Sequence, residues 1–294
     1  MIKIEVDERS GFCTGVIKAV KAAEKNLMTC SRLYSLGELV HNSEEVQRLS
    51  SMGLHPLSYE EFDRLENATV LIRAHGEPPR TFQKAEKQDI KLVDATCPIV
   101  KDLQKKIADC YSDLRRKQGS ILIFGKRNHP EVRALVGQTD GNAVVVREIG
   151  ELTTLKIQTP VYLFSQTTMN QGEYNRFQES LRKRMKALGM DPESDLHIHN
   201  TICRQVSSRE QYLKEFVIRY DLVFFVSGKA SSNGQALYRI CREVNEKTTF
   251  ISRPEESDTV DLKGIRTIGI CGATSTPRWL LAAVKERLSE RANH

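Results

Sequence analysis

Three cysteines are spaced so that one falls in each third of the chain, and each stands just before a predicted helix. Cys97 lies between an apolar run over residues 90–93 and a helical pattern over 99–117, with Pro98 where a helix tolerates a missing N–H. Cys13 and Cys203 have similar surroundings. A thiol beside a helix N-terminus lies at the positive end of the helix dipole, which favours the thiolate. The three thiolates are therefore candidates for metal binding or nucleophilic attack.

Three thiolates without an obvious fourth partner leave several uses open. Structural zinc sites need four ligands, commonly in two Cys-x-x-Cys pairs, and the sequence contains no such pair. An iron–sulfur cluster held by three thiolates would keep one iron without a protein ligand, where it could act as a Lewis acid and pass electrons. Packing or redox-active thiols are the third interpretation, and spacing alone does not decide among them.

Histidines and small polar side chains also stand where predicted strands end and helices begin. Imidazoles, hydroxyls and amides at helix N-termini are good phosphate ligands. The candidates are His41, His75, His129, Ser231, Ser232, Asn233 and Ser275. Each alone would more often be a packing, turn or capping residue, so the prediction depends on their common placement. The sequence has no P-loop and no usable dinucleotide fingerprint, so ATP and NAD chemistry are not indicated.

Glu131 follows His129 by two residues in the first turn of a predicted helix, so both side chains can face one pocket. In an apolar, anion-filled pocket the pKa of Glu131 would rise, which suits a proton donor or relay. The alternative is a first-turn acid that only complements the helix dipole. Thr167 and Thr168 follow a predicted strand and could simply end it.

The elements that must position these residues alternate between strand and helix along the whole chain. This alternation predicts an α/β fold with mainly parallel sheets and crossover helices. In such sheets ligands bind at the carboxyl edge of the strands, where the polar motifs fall. We predict three α/β modules, residues 1–96, 97–200 and 201–294, each of which contributes one cysteine to a shared centre.

The composition is that of a soluble globular protein of 294 residues, with 28% charged residues and a net charge of +6. The first residues lack the apolar region of a signal peptide and no apolar stretch reaches membrane-spanning length, so we expect a cytoplasmic protein without a membrane partner. The basic clusters at 115–117 and 182–186 fall in helical patterns without interleaved aromatic residues, which predicts exposed helix faces and no nucleic-acid partner. We expect no disulfides, and packing roles for Cys30, Cys110, Cys241 and Cys271.

Eight motifs together identify a family. They are Gly11-Phe12-Cys13-x-Gly15-Val16, Val40-His41-Asn42, Ala74-His75-Gly76, Asp94-Ala95-Thr96-Cys97-Pro98, His129-Pro130-Glu131-Val132, Gln166-Thr167-Thr168, Ser231-Ser232-Asn233 and Ser275-x-Pro277. In these motifs, and over nearly its whole length, the chain resembles the 4-hydroxy-3-methylbut-2-enyl diphosphate reductases. These enzymes catalyse the last step of the methylerythritol phosphate route to isoprenoids.

The resemblance implies a trefoil-like, pseudo-threefold arrangement of the three α/β modules around a central 4Fe-4S cluster. Cys13, Cys97 and Cys203 match the cluster ligands of the family, which leave one iron open, so that a 3Fe-4S form could be isolated. Thr167 matches a contact to the substrate hydroxyl, and Glu131 matches the proton donor. The implied diphosphate ligands are His41, His75, His129, Ser231, Ser232, Asn233 and Ser275.

The implied reaction is the reductive dehydroxylation of (E)-4-hydroxy-3-methylbut-2-enyl diphosphate to isopentenyl and dimethylallyl diphosphate, with two external electrons. A ferredoxin or a flavodoxin is the implied electron donor. Because such donors are acidic, the net charge of +6 would suit them.

The chain departs from the family pattern at three places. Val206 stands where a Thr is usual, Lys126 begins the replacement of a Gly-His-x-Gly segment, and Cys271 begins the replacement of Ala-Gly-Ala. These departures change residues that could form hydrogen bonds around the implied cluster, and such bonds affect the reduction potential of a cluster. Two other functions stay open on the sequence. One is a zinc-type phosphate-ester hydrolase that uses the three histidines and Glu131, and the other is an iron–sulfur sensor whose basic helices contact nucleic acid.

Overall fold

The computed structural model describes residues 2–30, 32–114 and 118–292, with Ser232 described by its backbone alone. The strands in this part of the chain are β1 (Lys3–Val6), β2 (Leu33–Leu36), β3 (Leu54–Leu57), β4 (Thr69–Ile72), β5 (Lys91–Asp94), β6 (Ser120–Phe124), β7 (Val144–Val146), β8 (Val161–Ser165), β9 (Leu196–Ile198), β10 (Leu222–Val226), β11 (Thr248–Ile251) and β12 (Thr267–Gly272). The α-helices are α1 (Thr14–Leu27), α2 (Ser43–Ser51), α3 (Tyr59–Phe62), α4 (Pro79–Lys87), α5 (Pro98–Leu114), α6 (Pro130–Val136), α7 (Gln171–Ala187), α8 (Pro192–Asp195), α9 (Arg204–Val217), α10 (Ser232–Val244) and α11 (Arg278–Ala292).

The strands form three sheets of four, and the pairing is parallel, which confirms the predicted α/β fold class. One sheet has the strand order β1-β12-β10-β11, and another has the order β7-β6-β8-β9. Elsewhere β2 pairs with β3, and β4 pairs with β5. Helices connect successive parallel strands, as the alternation of patterns in the sequence requires.

The chain divides into two compact units. The first unit comprises the residues up to Arg64 and those from Ser208 onward, and the second unit comprises Leu65–Ser207. Cys13 therefore belongs to the first unit, whereas Cys97 and Cys203 belong to the second. The predicted module boundaries, 1–96, 97–200 and 201–294, stay a prediction.

The core of the first unit covers both faces of its central strand, β10. Phe224 packs with Leu281 of α11 on one face, and Phe225 packs with residues of α9 and α10 on the other. This explains the unbroken apolar sequence of β10, since a parallel strand covered on both faces has no polar side. Cys241 and Cys271 are fully buried in the same cluster as Phe225, which confirms their predicted packing role.

The core of the second unit is built in the same way around β6 and β8. Phe124 packs against Phe177 of α7, with ring centroids 5.0 Å apart. Ile123 points to the opposite face, where it clusters with Ile107 of α5. Cys110, also on α5, is half-buried at the edge of this second cluster, as expected of a packing residue.

The helix after Cys203 begins earlier than the sequence predicts. The pattern indicates a helix from Ser207, but α9 begins at Arg204. The carbonyl of Cys203 already accepts the N–H of Ser207 at 3.0 Å, which is a helical hydrogen bond. The structure therefore places Cys203 directly before the first residue of α9.

Other differences concern short or edge elements. The sequence pattern predicts a strand over 196–202, but β9 ends at Ile198. Beyond it, the side chain of Thr201 bonds to the backbone N–H and carbonyl of Ser165, at 2.8 and 2.6 Å. The sequence pattern does not predict β3 or β11, which are four-residue edge strands, and β3 contains Pro56, a residue that sheets tolerate at edges. Cys30 lies just after α1 rather than within a helix.

The predicted end of the helix after Cys97, residues 115–117, lies outside the described residues, as does that basic cluster. Within the described ranges, no helix combines the length and the apolar character needed to cross a membrane.

Candidate functional site

Each of the three candidate cysteines immediately precedes a long helix, and its carbonyl accepts a hydrogen bond from the first turn. The donors are the N–H groups of Ile17, Lys101 and Ser207, at 2.9, 2.9 and 3.0 Å. The helices α1, α5 and α9 contain 14, 17 and 14 residues. All three thiols are half-buried, and none is in a disulfide. Their position at helix N-termini places the thiols at the positive end of a helix dipole.

Each of these cysteines is also bound to the end of a parallel strand. The backbone N–H groups of Cys13, Cys97 and Cys203 donate to the carbonyls of Thr274, Ala74 and Thr167, at 3.2, 3.0 and 2.9 Å. In every case the acceptor is the second residue after a strand, namely β12, β4 and β8. We refer to these three bonds as the cysteine tethers. They give three cysteines from distant parts of the sequence the same local backbone setting.

Glu131 and Thr167, both predicted site residues, lie in direct contact within the second unit. Glu131 is in the first turn of α6, and only 1% of its surface is exposed. The N–H and the hydroxyl of Thr167 donate to the two carboxylate oxygens of Glu131, at 2.6 and 2.7 Å. Because the carbonyl of Thr167 also accepts the tether of Cys203, one residue joins the carboxyl group to a cysteine backbone.

The surroundings of Glu131 raise the pKa of its carboxyl group. Burial raises the pKa of Glu131 to about 6, although the two hydrogen bonds from Thr167 oppose this rise by stabilising the ionised form. A carboxyl group with this pKa is present in both protonation states not far below neutral pH. It is therefore suited to proton transfer, in addition to complementing the dipole of α6.

The raised pKa of Glu131 predicts a pH-dependent stability. The folded state retains the proton between pH 4.5 and about 6, so this group lowers the stability of the fold as pH rises through that window. We expect Glu131→Gln to avoid this loss of stability, because Gln does not titrate. The free energy of unfolding of the variant, relative to that of the unsubstituted protein, should increase by about 2 kcal/mol between roughly pH 4 and pH 7. Urea unfolding of both proteins across this range measures the difference, and a constant difference would contradict the raised pKa.

His129 and His75 lie side by side in the second unit. Their ring centroids are 5.1 Å apart and the rings meet edge to face. His129 precedes α6 and its Nδ1 accepts the N–H of Glu131 at 3.2 Å. A nitrogen that accepts this bond carries no proton, so the neutral ring is protonated on Nε2. Nε2 of His129 can therefore donate to an anion.

In the first unit, the predicted hydroxyl and amide groups form one cluster. The Oγ of Ser231 accepts the N–H of Gly234 at 3.1 Å, which caps α10, and lies 3.0 Å from the Oγ of Ser275. The amide of Asn233 donates to the hydroxyl of Thr274 at 3.0 Å. Since Thr274 also accepts the tether of Cys13, this polar cluster adjoins the first cysteine. The structure gives no account of the side chain of Ser232.

His41 is two residues before the first residue of α2, Ser43. The sequence offers Asn42 or Ser43 as the cap of this helix, and the structure shows that Asn42 is the cap, because its Oδ1 accepts the N–H of Glu45 at 3.1 Å. Glu45 is buried, and its carboxylate accepts from Nε1 of Trp279 and from Arg48, both at 2.7 Å. These contacts fix the start of α2, and with it the backbone of His41.

Two site-forming residues were not found from the sequence. Thr274 binds both Cys13 and Asn233, but a lone Thr before Ser275 gives no signal. Arg209 is almost fully buried and donates to the carbonyls of Arg9 and of Gly272, the latter at 3.1 Å. It thereby holds the segment that leads to Cys13, and its positive charge favours the Cys13 thiolate. In a helix as polar as α9, periodicity cannot distinguish a buried arginine from an exposed one.

The three departures from the family pattern lie close to these groups. The N–H of Val206 donates to the carbonyl of Cys203 at 2.9 Å, while its buried side chain offers no hydroxyl. The N–H of Lys126 donates to the side chain of Gln166 at 3.0 Å. Cys271 is buried, and burial together with the neighbouring Cys241 raises the pKa of its thiol. Val206 therefore removes a side-chain donor near a candidate metal ligand.

A cavity of about 360 Å³ opens in the second unit beside Cys203. Apolar residues of α5, Ile99 and Leu103, form part of its wall. Lys106 and Arg204 add positive charge at the exposed rim, where Lys106 is paired with Asp102 at 2.8 Å. The cavity brings solvent and small groups to one candidate metal ligand.

Comparison with known proteins agrees with the sequence resemblance. A family model described as LytB protein matches residues 4–289. The 4-hydroxy-3-methylbut-2-enyl diphosphate reductases of Bacteroides thetaiotaomicron and Bacteroides fragilis are 44% identical over 288 residues and 45% identical over 290 residues. In each case the match covers 98% of this chain and 98% of the relative.

Two solved structures are similar over the whole chain. The structure of (E)-4-hydroxy-3-methyl-but-2-enyl diphosphate reductase, the terminal enzyme of the non-mevalonate pathway, matches with a TM-score of 0.73 and 33% identity, covering 99% of this chain and all of that one. The E-1-hydroxy-2-methyl-but-2-enyl-4-diphosphate reductase from Plasmodium falciparum matches with a TM-score of 0.80 and covers 100% of this chain and 88% of that one, but at 20% identity it supports the fold alone. The family match and the full-length relatives together lead to one conclusion: this chain belongs to the LytB protein family.

Proposed function

We propose that this protein is an oxidoreductase that converts (E)-4-hydroxy-3-methylbut-2-enyl diphosphate into isopentenyl diphosphate and dimethylallyl diphosphate, the terminal step of non-mevalonate isoprenoid synthesis. Full-length relatives at 44% and 45% identity carry the corresponding reductase name. Within the structure, the observation that carries the proposal is the buried Glu131–Thr167 pair next to the tether of Cys203. It provides a proton donor beside a candidate metal ligand.

The reaction needs two electrons and two protons. The bond between the allylic carbon and the hydroxyl oxygen breaks, and the oxygen leaves as water after it accepts one proton. The allylic carbon skeleton accepts both electrons and the second proton. The carbon that receives this proton determines whether isopentenyl or dimethylallyl diphosphate forms.

Members of the LytB family depend on iron and sulfur. We propose Cys13, Cys97 and Cys203 as the ligands of a 4Fe-4S cluster, because the cysteine tethers give all three thiols the same setting at a helix N-terminus. Such a cluster, when bound, supplies electrons and one iron without a protein ligand. Loss of that iron would leave a 3Fe-4S form.

We propose that neutral donors and imidazoles bind the diphosphate. Ser231 and Ser275 present hydroxyls at the N-terminus of α10, where the helix dipole favours phosphate. In the second unit, the neutral ring of His129 carries its N–H on Nε2, because Nδ1 accepts a backbone bond. The proposed ligands also include His41, His75, Ser232 and Asn233. Fixing the diphosphate holds the hydroxyl end of the substrate in a defined position.

We propose that Glu131 supplies the proton that the leaving hydroxyl needs, with Thr167 as the contact to that hydroxyl. The pKa of about 6 keeps a fraction of Glu131 protonated under mildly acidic to neutral conditions. The hydroxyl of Thr167 lies 2.7 Å from the Glu131 carboxylate and can pass the proton between Glu131 and substrate. The backbone bond from Thr167 keeps the carboxyl group oriented during the transfer.

The electrons are proposed to arrive from a ferredoxin or a flavodoxin. Both are acidic proteins, and the chain carries a net charge of +6. The cavity beside Cys203 gives access to one candidate cluster ligand, and Arg204 adds a positive charge at its rim, where Lys106 is paired with Asp102. Electron-transfer contacts are commonly small and transient, so a surface of this kind suffices.

The decisive experiment is anaerobic purification, with iron, zinc and sulfide analysis, followed by a reductase assay. We expect a brown protein with about four irons and four sulfides per chain. We also expect it to reduce (E)-4-hydroxy-3-methylbut-2-enyl diphosphate with a reduced viologen and with a ferredoxin or flavodoxin. Zinc without iron, together with phosphate-ester hydrolysis, would favour the hydrolase instead. Cluster content without diphosphate affinity, together with salt-sensitive DNA binding, would favour the sensor.

A further inference from the structure

Three buried polar atoms in the first unit have no hydrogen-bond partner among the described residues. One is Nε of Arg209, whose other guanidinium nitrogens donate to backbone carbonyls. The other two are Nδ2 of Asn42 and Oγ of Ser227, which belong to residues with 2% and 0% of their surface exposed. Buried donors almost always have partners in folded proteins, because an unpaired one lowers stability. Two such atoms in neighbouring segments therefore indicate that something outside the chain completes their hydrogen bonds.

The two side chains belong to segments in close contact. A Cβ placed on Gly228, the residue after Ser227, would collide with the carbonyl oxygen of His41 and would lie 2.9 Å from the Cα of Asn42. A Cβ placed on Gly234, in the first turn of α10, would lie 2.9 Å from the Cβ of Ser227 and would overlap its hydroxyl. The two glycines thus allow the Ser227 segment to approach both the backbone at His41 and the start of α10.

The free atoms are suited to an anionic oxygen. Asn42 uses its only acceptor, Oδ1, to cap α2, so its remaining capacity is the N–H donors of Nδ2. The hydroxyl of Ser227 can also donate. Both residues lie near helix N-termini, those of α2 and α10, whose dipoles favour negative charge.

The acids near the start of α2 are already neutralised. Glu44 is bound by Arg253 at 2.9 Å, and Glu45 is bound by Arg48 at 2.7 Å. Their charges therefore do not oppose an anion at the start of α2 as unpaired carboxylates would.

We infer that the Asn42 amide and the Ser227 hydroxyl bind an oxygen of the diphosphate group of the substrate. This inference rests on the proposed function and adds two positioning residues to its phosphate ligands. Neither group titrates near neutral pH, so their contribution should be the same at pH 7 and pH 8. A buried water could satisfy the same two atoms, and the experiment distinguishes it from a phosphate oxygen.

The test is calorimetric binding of inorganic pyrophosphate to the anaerobic holoprotein at pH 7 and pH 8. Asn42→Asp retains the acceptor that caps α2 and replaces the donor by an anionic oxygen. We expect pyrophosphate affinity to fall by about 10-fold to 100-fold at both pH values. Ser227→Ala removes the hydroxyl and should reduce the affinity about 3-fold to 10-fold, with an unchanged or higher Tm.

The matched control is Asn170→Asp. Asn170 caps α7 through its Oδ1, which accepts the N–H of Glu173 at 3.0 Å, so the same substitution is made at the same kind of helix start. We expect its pyrophosphate affinity and its Tm to stay close to those of the unsubstituted protein. If Asn42→Asp and Asn170→Asp weaken binding equally, the effect is not specific to Asn42 and the inference is wrong.

The outcomes separate this inference from the proposed function. If the unsubstituted protein reduces the substrate but both Asn42→Asp and Ser227→Ala bind pyrophosphate normally, the pair holds a water and the inference fails alone. If the unsubstituted protein neither binds pyrophosphate nor reduces the substrate, the proposed function fails. Should Asn42→Asp not fold, the Ser227→Ala measurement decides.

Discussion

Replacing Glu131 by Gln is expected to lower kcat by about 10²-fold to 10⁴-fold, the usual range for loss of a positioned proton donor. Gln has nearly the same shape, and its carbonyl oxygen can still accept the N–H of Thr167, so the local structure should persist. What the variant lacks is a proton that leaves at a pKa of about 6. Single-turnover reduction of the substrate by the chemically reduced holoprotein measures the effect, and calorimetry with pyrophosphate should show unchanged binding.

Thr167 provides the matched comparison for Glu131. Thr167→Val removes the hydroxyl but keeps the backbone N–H that bonds to Glu131. Because the hydroxyl bond opposes the rise in the pKa of Glu131, its loss should move the decline of activity with pH to higher pH. Thr167→Ser should restore both the rate and the pH profile. Full turnover by Glu131→Gln, with an unaltered pH profile, would remove Glu131 from the mechanism.

Replacing Cys97 by Ser is expected to abolish both the cluster and the activity. A hydroxyl is a much poorer ligand for iron than a thiolate, and two remaining cysteines cannot hold a cluster that needs at least three. Iron and sulfide should fall from about four of each per chain to near zero. The absorption that makes the protein brown should disappear with them.

Cys110→Ser is the control, because Cys110 is a half-buried thiol on the same helix, α5, but lies far from its N-terminus. This variant should keep its iron, its colour and its turnover. If Cys97→Ser retains a full cluster and normal activity, the assignment of Cys97 as a ligand is wrong. If both variants lose iron to the same degree, general instability of α5 explains the loss.

The fold class could be predicted because its signals are local. The apolar pattern of the sequence predicts strands over 120–124 and 222–226, and these are the observed bounds of β6 and β10. The sequence pattern does not predict the edge strands β3 and β11, because four residues are too few to show a clear periodicity of apolar residues. The start of α9 was placed too late because Arg204 and Gln205 are exposed and add nothing to an apolar period.

The site was predictable in its residue types but not in its contacts. Motif and position indicated Glu131 and Thr167 separately, yet the two hydrogen bonds between them depend on how β8 and α6 pack. Thr274 and Arg209 act through long-range bonds to backbone carbonyls or N–H groups, and such bonds have no sequence signature. The sequence leaves Asn42 and Ser43 open as the cap of α2, and only the structure shows that Asn42 is the cap and that its amide nitrogen is unpaired.

The cysteine tethers have a consequence for how the protein acquires its metal. Each tether joins a backbone N–H to a backbone carbonyl, so it needs neither iron nor any particular side chain to form. The folded apoprotein should therefore keep each thiol at its strand end, and little chain ordering remains to be done when iron and sulfide arrive. A protein stripped of metal should accordingly regain its cluster by anaerobic incubation with ferrous iron, ferric iron and sulfide, without being unfolded and refolded.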